Sequence, residues 1–355
     1  MRNTRHYASV IVLVIAATVG LYFLFRVLFR LPVAASAQAG PIDNMMYVHF
    51  WFIAFLFALI MVIMLYSAFA FRRQPDDDSD APHIHGSATL EIAWTVLPTL
   101  TVIGFGIWAI GVFNDLVRPA PGEMVISVTS QQWSWSFEYP EQENIRSSVL
   151  TLPLNRPVVL EMQAEDVIHS FWVPEFRVKQ DLVPGQITHL RFTPTLPGTY
   201  KVRCAEICGT GHAQMLATVE VVNQDRFVAW VEEMKGRPDP ATIEVAAERG
   251  AIWASTDYFG CVGCHSADGT PLAGPTWQGI YGTEEELADG STVIVDLEYI
   301  HSSIVEPNAQ IVEGFSPNIM PATFEEQIAA TEEAIGRDDI DIIEDITAYI
   351  ESLGE

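Results

Sequence analysis

All four cysteines of this chain lie in two short runs whose residue types could bind a metal or a haem. The first run, CAEICGTGHAQM, carries Cys204, Cys208, His212 and Met215, and the second, CVGCH, begins 57 residues after Cys204, at Cys261. Thiolate, imidazole and thioether groups together favour copper over hard cations. The CxxCH pattern is the one by which haem c is attached. The two runs together indicate electron transfer, and they leave no cysteine for a disulfide framework.

The first run has one thiolate more than a mononuclear blue-copper site uses. Cys204 and Cys208 could instead bridge two coppers, with one histidine and one weaker ligand for each copper. His212 supplies one imidazole, and His169, between predicted strands in an apolar and aromatic segment, is the best candidate for the other. A Cys204–Cys208 disulfide and a zinc site are the alternatives. Met215 speaks against zinc, which takes Cys, His and carboxylate ligands.

The second run predicts a covalently bound haem. Cys261 and Cys264 would form the two thioethers, and His265 would be the proximal iron ligand. Methionine is the expected sixth ligand, and Met320, in SPNIMPATF, is the one methionine that follows His265 in the sequence. His301 is the alternative, and it would give a bis-histidine haem.

Residues 241–355 are predicted to form a small helical domain around this haem, in which Gly274-Pro275 could place a carbonyl against the ring of His265. This segment has 23 acidic and 2 basic residues, so most of the net charge of −26 lies in it. Such a surface excludes nucleic acid as the expected partner. It is either an ordinary solvated surface or a docking surface for a basic electron donor.

Three apolar stretches precede these domains: Ala8–Phe29, Tyr47–Phe71 and Leu90–Phe113. A helix of about 24 residues spans ~36 Å and can cross a ~30 Å hydrocarbon core. Arg72 and Arg73 open the polar turn between the second and third stretches. The positive-inside rule therefore predicts a hairpin with its turn in the cytoplasm and both cysteine runs outside.

The first apolar stretch has two interpretations. Arg2, Arg5 and the Ala37-Gln38-Ala39 run resemble a secretory signal with its cleavage site. The apolar stretch is long for a signal, so a retained third helix is favoured.

Glu91 opens the third stretch. A carboxylate in the first turn of a helix is stabilised by the helix dipole, and a carboxylate inside a membrane is often functional. Glu91 is thus either a favourably placed helix residue or part of a proton pathway.

Between the membrane part and the haem domain, short β-branched runs with Pro and Gly between them predict a small antiparallel β-sandwich or barrel. A helix and a Pro-containing linker follow. The predicted organisation is a multidomain membrane protein with these parts: 1–40, an N-terminal membrane helix or signal; 41–120, a transmembrane hairpin; 121–223, a β-sandwich; 224–240, a helix and linker; 241–355, an all-α cytochrome domain.

The chain resembles subunit II of the haem-copper cytochrome c oxidases, in the form fused to a C-terminal cytochrome c domain. The motifs that carry the resemblance are HGSATLEIAWTVLP, QWSWSFEY, the isolated His169 and CAEICGTGHAQM. The resemblance covers about residues 41–355, and the additional N-terminal span departs from the usual family pattern. It implies that the β-sandwich is cupredoxin-like.

The resemblance also implies site residues. It implies a binuclear CuA centre with the ligands His169, Cys204, the Glu206 carbonyl, Cys208, His212 and Met215. The Glu206 side chain would reach a magnesium ion at the boundary with subunit I. Trp133 would be the residue through which electrons arrive, and Glu91 would lie at the mouth of a proton channel in subunit I.

The function implied is electron transfer from an external donor through haem c and CuA to subunit I. Oxygen would be reduced there, coupled to proton translocation across a bacterial cell membrane, with subunit III as a further partner. The alternatives are a CuA subunit of a nitric oxide reductase, a stand-alone membrane-anchored carrier and a quinol oxidase subunit. The complete Cys, His and Met set argues against the quinol oxidase.

Overall fold

The computed structural model describes residues 2–73, 83, 85–270 and 272–354, and it divides into two compact units, 1–118 and 119–355. Within the described part of the first unit, three helices are long and apolar enough to cross a membrane. They are α1 (Arg2–Leu28), α2 (Ala39–Ala70) and α3 (Ala88–Val117). This confirms the three predicted apolar helices. The predicted polar turn between α2 and α3 falls mostly on residues 74–82 and 84, which lie outside the described residues.

Helix α1 packs along α2 through aromatic side chains. The rings of Tyr22 and Trp51 are stacked with their centroids 4.1 Å apart. The guanidinium of Arg26 lies 4.1 Å from the centroid of the Tyr47 ring, which is a cation–π geometry. These contacts fit a helix that belongs to the membrane unit. Its retention in the mature protein stays a prediction.

The second unit begins with two five-stranded sheets that pack as a sandwich. One sheet has the order β3-β2-β1-β5-β8 and the other the order β4-β10-β9-β6-β7. The strands are β1 (Met124–Gln131), β2 (Ser134–Tyr139), β3 (Ile145–Ser147), β4 (Val149–Pro153), β5 (Val158–Ala164), β6 (His169–Val173), β7 (Val178–Leu182), β8 (Thr188–Phe192), β9 (Gly198–Cys204) and β10 (Leu216–Val222).

Alternation along the strands builds the core between the sheets. In β2, Trp135, Phe137 and Tyr139 are buried and the residues between them are half-buried, as expected for a strand with one face inward. The sandwich is confirmed, but the expected purely antiparallel pairing is wrong. The pairs β1–β5 and β4–β10 are parallel, because other strands separate their members in the chain and no hairpin joins them.

The C-terminal region is mainly helical, as the sequence predicts. Its helices are α4 (Gln224–Lys235), α5 (Ala246–Trp253), α6 (Leu297–Val305), α7 (Phe324–Ile335) and α8 (Ile342–Ser352). The expectation of an all-α domain is incomplete, because β11 (Glu284–Glu286) and β12 (Thr292–Ile294) form an antiparallel hairpin. Its turn contains Asp289, whose carboxylate accepts a hydrogen bond from the Ser291 amide, and Gly290 at φ +83°.

Helices α5 and α8 cross at close range. A Cβ added to Gly250 would lie 1.9 Å from the backbone oxygen of Asp345, so only glycine permits this approach. Beside it, the buried Asp345 carboxylate receives two hydrogen bonds from Arg249, at 2.7 and 2.6 Å, and one from the indole of Trp253 at 3.2 Å. This paired and hydrogen-bonded charge fixes the position at which the two helices cross.

Replacing Arg249 with methionine is expected to destabilise this domain by about 3–5 kcal/mol, because it leaves the Asp345 carboxylate buried without its cation. Amide hydrogen exchange in α5 and α8 of the full chain measures the loss. Arg226→Met is the matched control, since Arg226 forms an exposed ion pair with Glu233 that is worth at most about 1 kcal/mol. Equal protection from amide exchange in the two variants would show that the Arg249–Asp345 pair does not stabilise the crossing of α5 and α8.

Candidate metal centre and haem site

Two neighbouring strands bring the first pair of candidate ligands together. His169 is the first residue of β6 and Cys204 is the last residue of β9, and β6 and β9 are paired antiparallel. The Ala205 amide donates to the Ser170 carbonyl at 3.0 Å and continues the pairing beyond Cys204. The Nδ1 atom of His169 lies 3.9 Å from the Cys204 sulfur.

The loop from Cys204 to Met215 closes on itself and supplies the other ligands. The Cys204 amide donates to the Met215 carbonyl at 3.2 Å, at the base of the β9–β10 pair. Inside the loop the Cys208 sulfur lies 3.7 Å from that of Cys204, 3.5 Å from Nδ1 of His212 and 3.7 Å from the Met215 sulfur. The carbonyl of Glu206 lies 3.2 Å from the Cys204 sulfur. The structure therefore brings together every copper ligand predicted from the sequence.

The environment of the two thiols fits a bound cation. Both cysteines are free and buried. Burial opposes ionisation of Cys204, but contacts with His169 and with backbone groups outweigh burial and lower its pKa. Burial and the neighbouring Cys204 charge raise the pKa of Cys208. Two thiolates at this separation repel each other, so a positive charge between them is needed to ionise both. Sulfur and imidazole donors suit copper.

Asp166 orients the imidazole of His169, and sequence reasoning missed it. Its Oδ1 lies 2.8 Å from Nε2 of His169, so Nε2 carries the proton and Nδ1 is free to face the thiols. Its other oxygen accepts from the Gln132 amide at 2.7 Å. A carboxylate behind a histidine ligand is a common second contact in metal sites. The aspartate three residues before His169 was the available signal.

The turn between β1 and β2 covers the loop. The indole of Trp133 donates to the Cys208 carbonyl at 3.1 Å, and the side-chain amide of Gln132 donates to the same oxygen at 2.6 Å. Gly209 and Gly211 make this possible, because a Cβ on Gly211 would lie 2.3 Å from the Trp133 ring. Trp133 is half-buried, and it lies directly against the candidate copper loop.

Gly211→Ala is expected to displace the Trp133 ring and to slow electron arrival at the loop by about tenfold or more, because small misplacements of reacting groups are costly. Reduction kinetics of the copper with an external donor measure the effect. Gly236→Ala is the control for a glycine substitution, since Gly236 has φ −75° and its added Cβ would lie 3.4 Å from the nearest atom, an ordinary contact distance. A Gly211→Ala rate equal to the control would show that the Trp133 position is unimportant.

The CVGCH run forms one tight turn with His265 turned inward. The His265 amide donates to the Cys261 carbonyl at 3.0 Å. Nδ1 of His265 lies 2.9 Å from the Pro275 carbonyl, which confirms the predicted orienting contact. Because a carbonyl only accepts, Nδ1 carries the proton and Nε2 is left as a ligand atom. Burial also lowers the pKa of His265, which favours the neutral ring that iron binds.

Two neighbours of His265 leave little freedom for its ring. Trp277, which sequence reasoning missed, stacks on it at 5.1 Å between centroids. A Cβ on Gly274 would lie 2.5 Å from the imidazole, so a glycine is needed there. Cys264 lies half-buried on the same turn. The ring is therefore held in one orientation by packing and by one hydrogen bond.

The structure separates the two candidates for the sixth ligand. Cys261 and Met320 are both half-buried and pack against the core cluster of the C-terminal domain. His301 is exposed on α6, beside an open cavity of about 410 Å³ that Tyr281 and Asp296 help to line. Met320 thus packs against the same core as Cys261, one of the two predicted attachment cysteines, and His301 faces solvent.

The two predicted carboxylates are both exposed. Glu91 lies in the first turn of α3. The Glu206 side chain is exposed although its carbonyl faces Cys204. Among the described residues, neither carboxylate belongs to a cluster of three or more metal-ligating side chains.

Comparison with known proteins matches two parts of the chain to one family. Residues 24–112 match the family profile "Cytochrome C oxidase subunit II, transmembrane domain", and residues 146–222 match "Cytochrome C oxidase subunit II, periplasmic domain". The crystal structure of the periplasmic domain of cytochrome oxidase subunit II from Bradyrhizobium japonicum is similar, with 28% identity and a TM-score of 0.32. The alignment covers 33% of this chain and 97% of that one.

Two relatives agree with these matches. Cytochrome c oxidase subunit 2 of Alkalihalophilus pseudofirmus is 32% identical over 240 residues, which is 66% of this chain and 68% of the relative. Cytochrome c oxidase subunit 2 of Synechocystis sp. is 32% identical over 248 residues, which is 57% of this chain and 74% of the relative. With its membrane helices, its cupredoxin-like periplasmic sandwich and its buried Cys and His cluster, the chain belongs to the cytochrome c oxidase subunit II family.

Proposed function

We propose that this chain is the subunit through which electrons reach a haem-copper cytochrome c oxidase, and that it carries its own haem c domain. Electrons from an external donor pass through haem c to a CuA centre and then to the haem of subunit I. Subunit I reduces oxygen to water, coupled to proton translocation. The chain itself holds the two acceptor sites and the residues that position them.

The convergence of sulfur and imidazole donors from the loop 204–215 and from β6 carries this proposal. His169, Cys204, Cys208, His212 and Met215 would hold the copper, with the Glu206 carbonyl completing the set. A binuclear copper centre bound there would accept and release single electrons. The buried sandwich strands fix two of the ligands, and the closed loop fixes the others, so little rearrangement accompanies a change of charge.

The C-terminal domain has the residues needed to bind haem c, the first electron acceptor in this proposal. Cys261 and Cys264 would attach haem c, with His265 and Met320 as its axial ligands. A haem so held would exchange single electrons. Pro275 keeps the His265 ring in the tautomer that presents Nε2. The contact of Met320 with the domain core favours it over the exposed His301.

Three exposed or half-buried residues fit contacts with other components. Trp133 donates to the carbonyl of a copper ligand and would receive electrons. The exposed carboxylate of Glu206 would bind magnesium at the boundary with subunit I. Glu91, exposed near the start of α3, would contribute to proton uptake at subunit I.

In this proposal the helices hold the chain in a bacterial cell membrane, with both soluble domains on the outer face. Subunit I is the main partner, and subunit III is a further one. The donor is a cytochrome, a copper protein or a neighbouring respiratory complex. The acidic C-terminal domain would favour a donor with a basic surface, whose binding weakens as salt rises.

Purification of the complex from its native membranes tests the proposal. We expect the chain to co-purify with a haem-bearing subunit I, to contain copper and covalent haem c, and to support oxygen consumption with reduced cytochrome. A chain that isolates alone would instead be a stand-alone carrier. A complex that reduces nitric oxide but not oxygen would contradict the oxidase assignment.

A further inference from the structure

Among the described residues, hydrogen bonds join the C-terminal domain to the β-sandwich at two separate places, and one of them leads to the copper loop. At the first place, the Asp257 carboxylate accepts from the Ser148 amide of the sandwich at 2.9 Å, and it also accepts from Arg237 of the preceding linker at 2.7 Å. Ser148 lies between β3 and β4, far along the sheet order from the ligand strand β6. This contact holds the domain but does not approach the metal ligands.

The second place is on α7. The side-chain amide of Gln327 donates to the side-chain oxygen of Gln131, the last residue of β1. Helix α7 begins at Phe324, four residues after Met320, the candidate haem ligand. The contact therefore joins the segment that carries one haem ligand to the β1–β2 turn.

The same turn continues to the copper ligand. Gln132 follows Gln131 directly, and its side chain donates to the Cys208 carbonyl at 2.6 Å. Its backbone amide donates to Asp166, which orients His169. From Gln327 to Cys208 the connection consists of two hydrogen bonds, the side chains of Gln131 and Gln132, and the peptide bond that joins these two residues.

We propose that Gln327, Gln131 and Gln132 form a fixed connection through which the attached C-terminal domain passes electrons to the copper loop. Gln327 and Gln131 are positioning residues that hold the domain in place, and Gln132 links the turn to Cys208. This inference rests on the proposed function. In each transfer a ferrous haem becomes ferric and the copper centre gains one electron, while no covalent bond breaks and no proton moves.

The connection through the three glutamines suits electron transfer from the C-terminal domain to the copper loop better than Trp133 alone does. Trp133 contacts the same Cys208 carbonyl, but the contact from α7 is made to Gln131. Electron transfer slows steeply as the separation of the two centres grows, and hydrogen bonds that keep them at one separation therefore control the rate. Trp133 then remains available to other donors.

The test uses the full-length chain loaded with copper and haem, with haem c reduced by a light flash. Gln327→Met keeps the side-chain length and removes the hydrogen bond, and we expect it to slow transfer to copper by about two- to tenfold. Gln327→Glu should retain the rate, because Gln131 can donate to the carboxylate. Glu326→Gln, at an exposed neighbouring position on α7, is the control and should match the wild type.

Amide hydrogen exchange distinguishes residues that hold the C-terminal domain in place from residues that only carry the electron. Gln327→Met should raise exchange at residues 131–133 and in α7, with haem and copper spectra unchanged. Gln132→Met should slow transfer to a similar degree without raising exchange in α7. Wild-type rates in both methionine variants would overturn the inference. A wild type with no transfer from haem to copper would instead overturn the proposed function.

Discussion

Replacing Cys208 with serine is expected to abolish the copper centre. The Cys208 sulfur lies within 3.7 Å of the Cys204 sulfur, of His212 and of Met215, so its loss removes contacts with three of the candidate ligands. A serine hydroxyl is a poor ligand for soft metal ions, and it cannot bridge them as a thiolate does. We expect the loss of the near-infrared absorption and of the mixed-valence electron paramagnetic resonance signal, together with most of the bound copper.

The other cysteine run provides the control for this prediction. Cys261→Ser removes one haem attachment and leaves the sandwich loop intact, so copper binding and its spectra should persist. Transfer from haem c to copper should fail in both variants, for different reasons. If Cys208→Ser retained bound copper with the spectra of the wild type, the ligand set would be wrong. A colourless, zinc-filled wild type would contradict the copper assignment itself.

Replacing Met320 with leucine is expected to change the haem more than any other substitution in the C-terminal domain outside the CVGCH run. Leucine fills a similar volume against the domain core but has no thioether to bind iron. The low-spin methionine–iron spectrum should disappear. The reduction potential should fall by roughly 0.1 V or more, within the ~0.8 V range that axial ligands span. Spectroscopy and redox titration of the purified chain measure both changes.

His301→Leu is the matched control for this prediction. His301 is exposed on α6, so its replacement should leave the haem spectrum and potential unchanged. The opposite pattern, with Met320→Leu silent and His301→Leu disruptive, would assign a bis-histidine haem. Retained covalent attachment in both variants checks that the domain has folded around its haem.

The candidate copper ligands could be predicted from the sequence because most of them are close together in it. Four of the side chains lie within the run 204–215, and residue types alone indicated a soft metal. His169 is 35 residues from Cys204 and was chosen for its apolar and aromatic surroundings. The pairing of β6 with β9 explains why that choice places it beside Cys204. The sequence motif thus contains the ligands that are close together in the chain, and the pairing of β6 with β9 brings the distant ligand, His169, beside them.

The residues that orient the ligands were harder to find. Asp166, Gln132 and Trp277 act by hydrogen bonding or stacking, and nothing in their residue type distinguishes them from surface or core residues. The parallel pairs β1–β5 and β4–β10 were missed because local alternation is the same in parallel and antiparallel strands. The hairpin at Glu284–Glu286 was missed because a run of charged residues is a weak strand signal.

The contact between the domains was also beyond prediction from the sequence. Gln131 and Gln327 are 196 residues apart, and glutamine is common on exposed surfaces. The Asp257–Ser148 contact likewise joins ordinary polar residues. Only the packing of the C-terminal domain on the sandwich reveals that one of these contacts lies next to Trp133 and the Cys208 carbonyl.

The most direct test of the central claim is flash reduction of haem c in the wild-type full-length chain, followed at the haem band and at the near-infrared copper band. We expect haem c to be reoxidised with the same time constant with which the copper band bleaches, at a rate independent of protein concentration. Haem that stays reduced while the copper stays oxidised would contradict an electron path from the C-terminal domain to the copper loop.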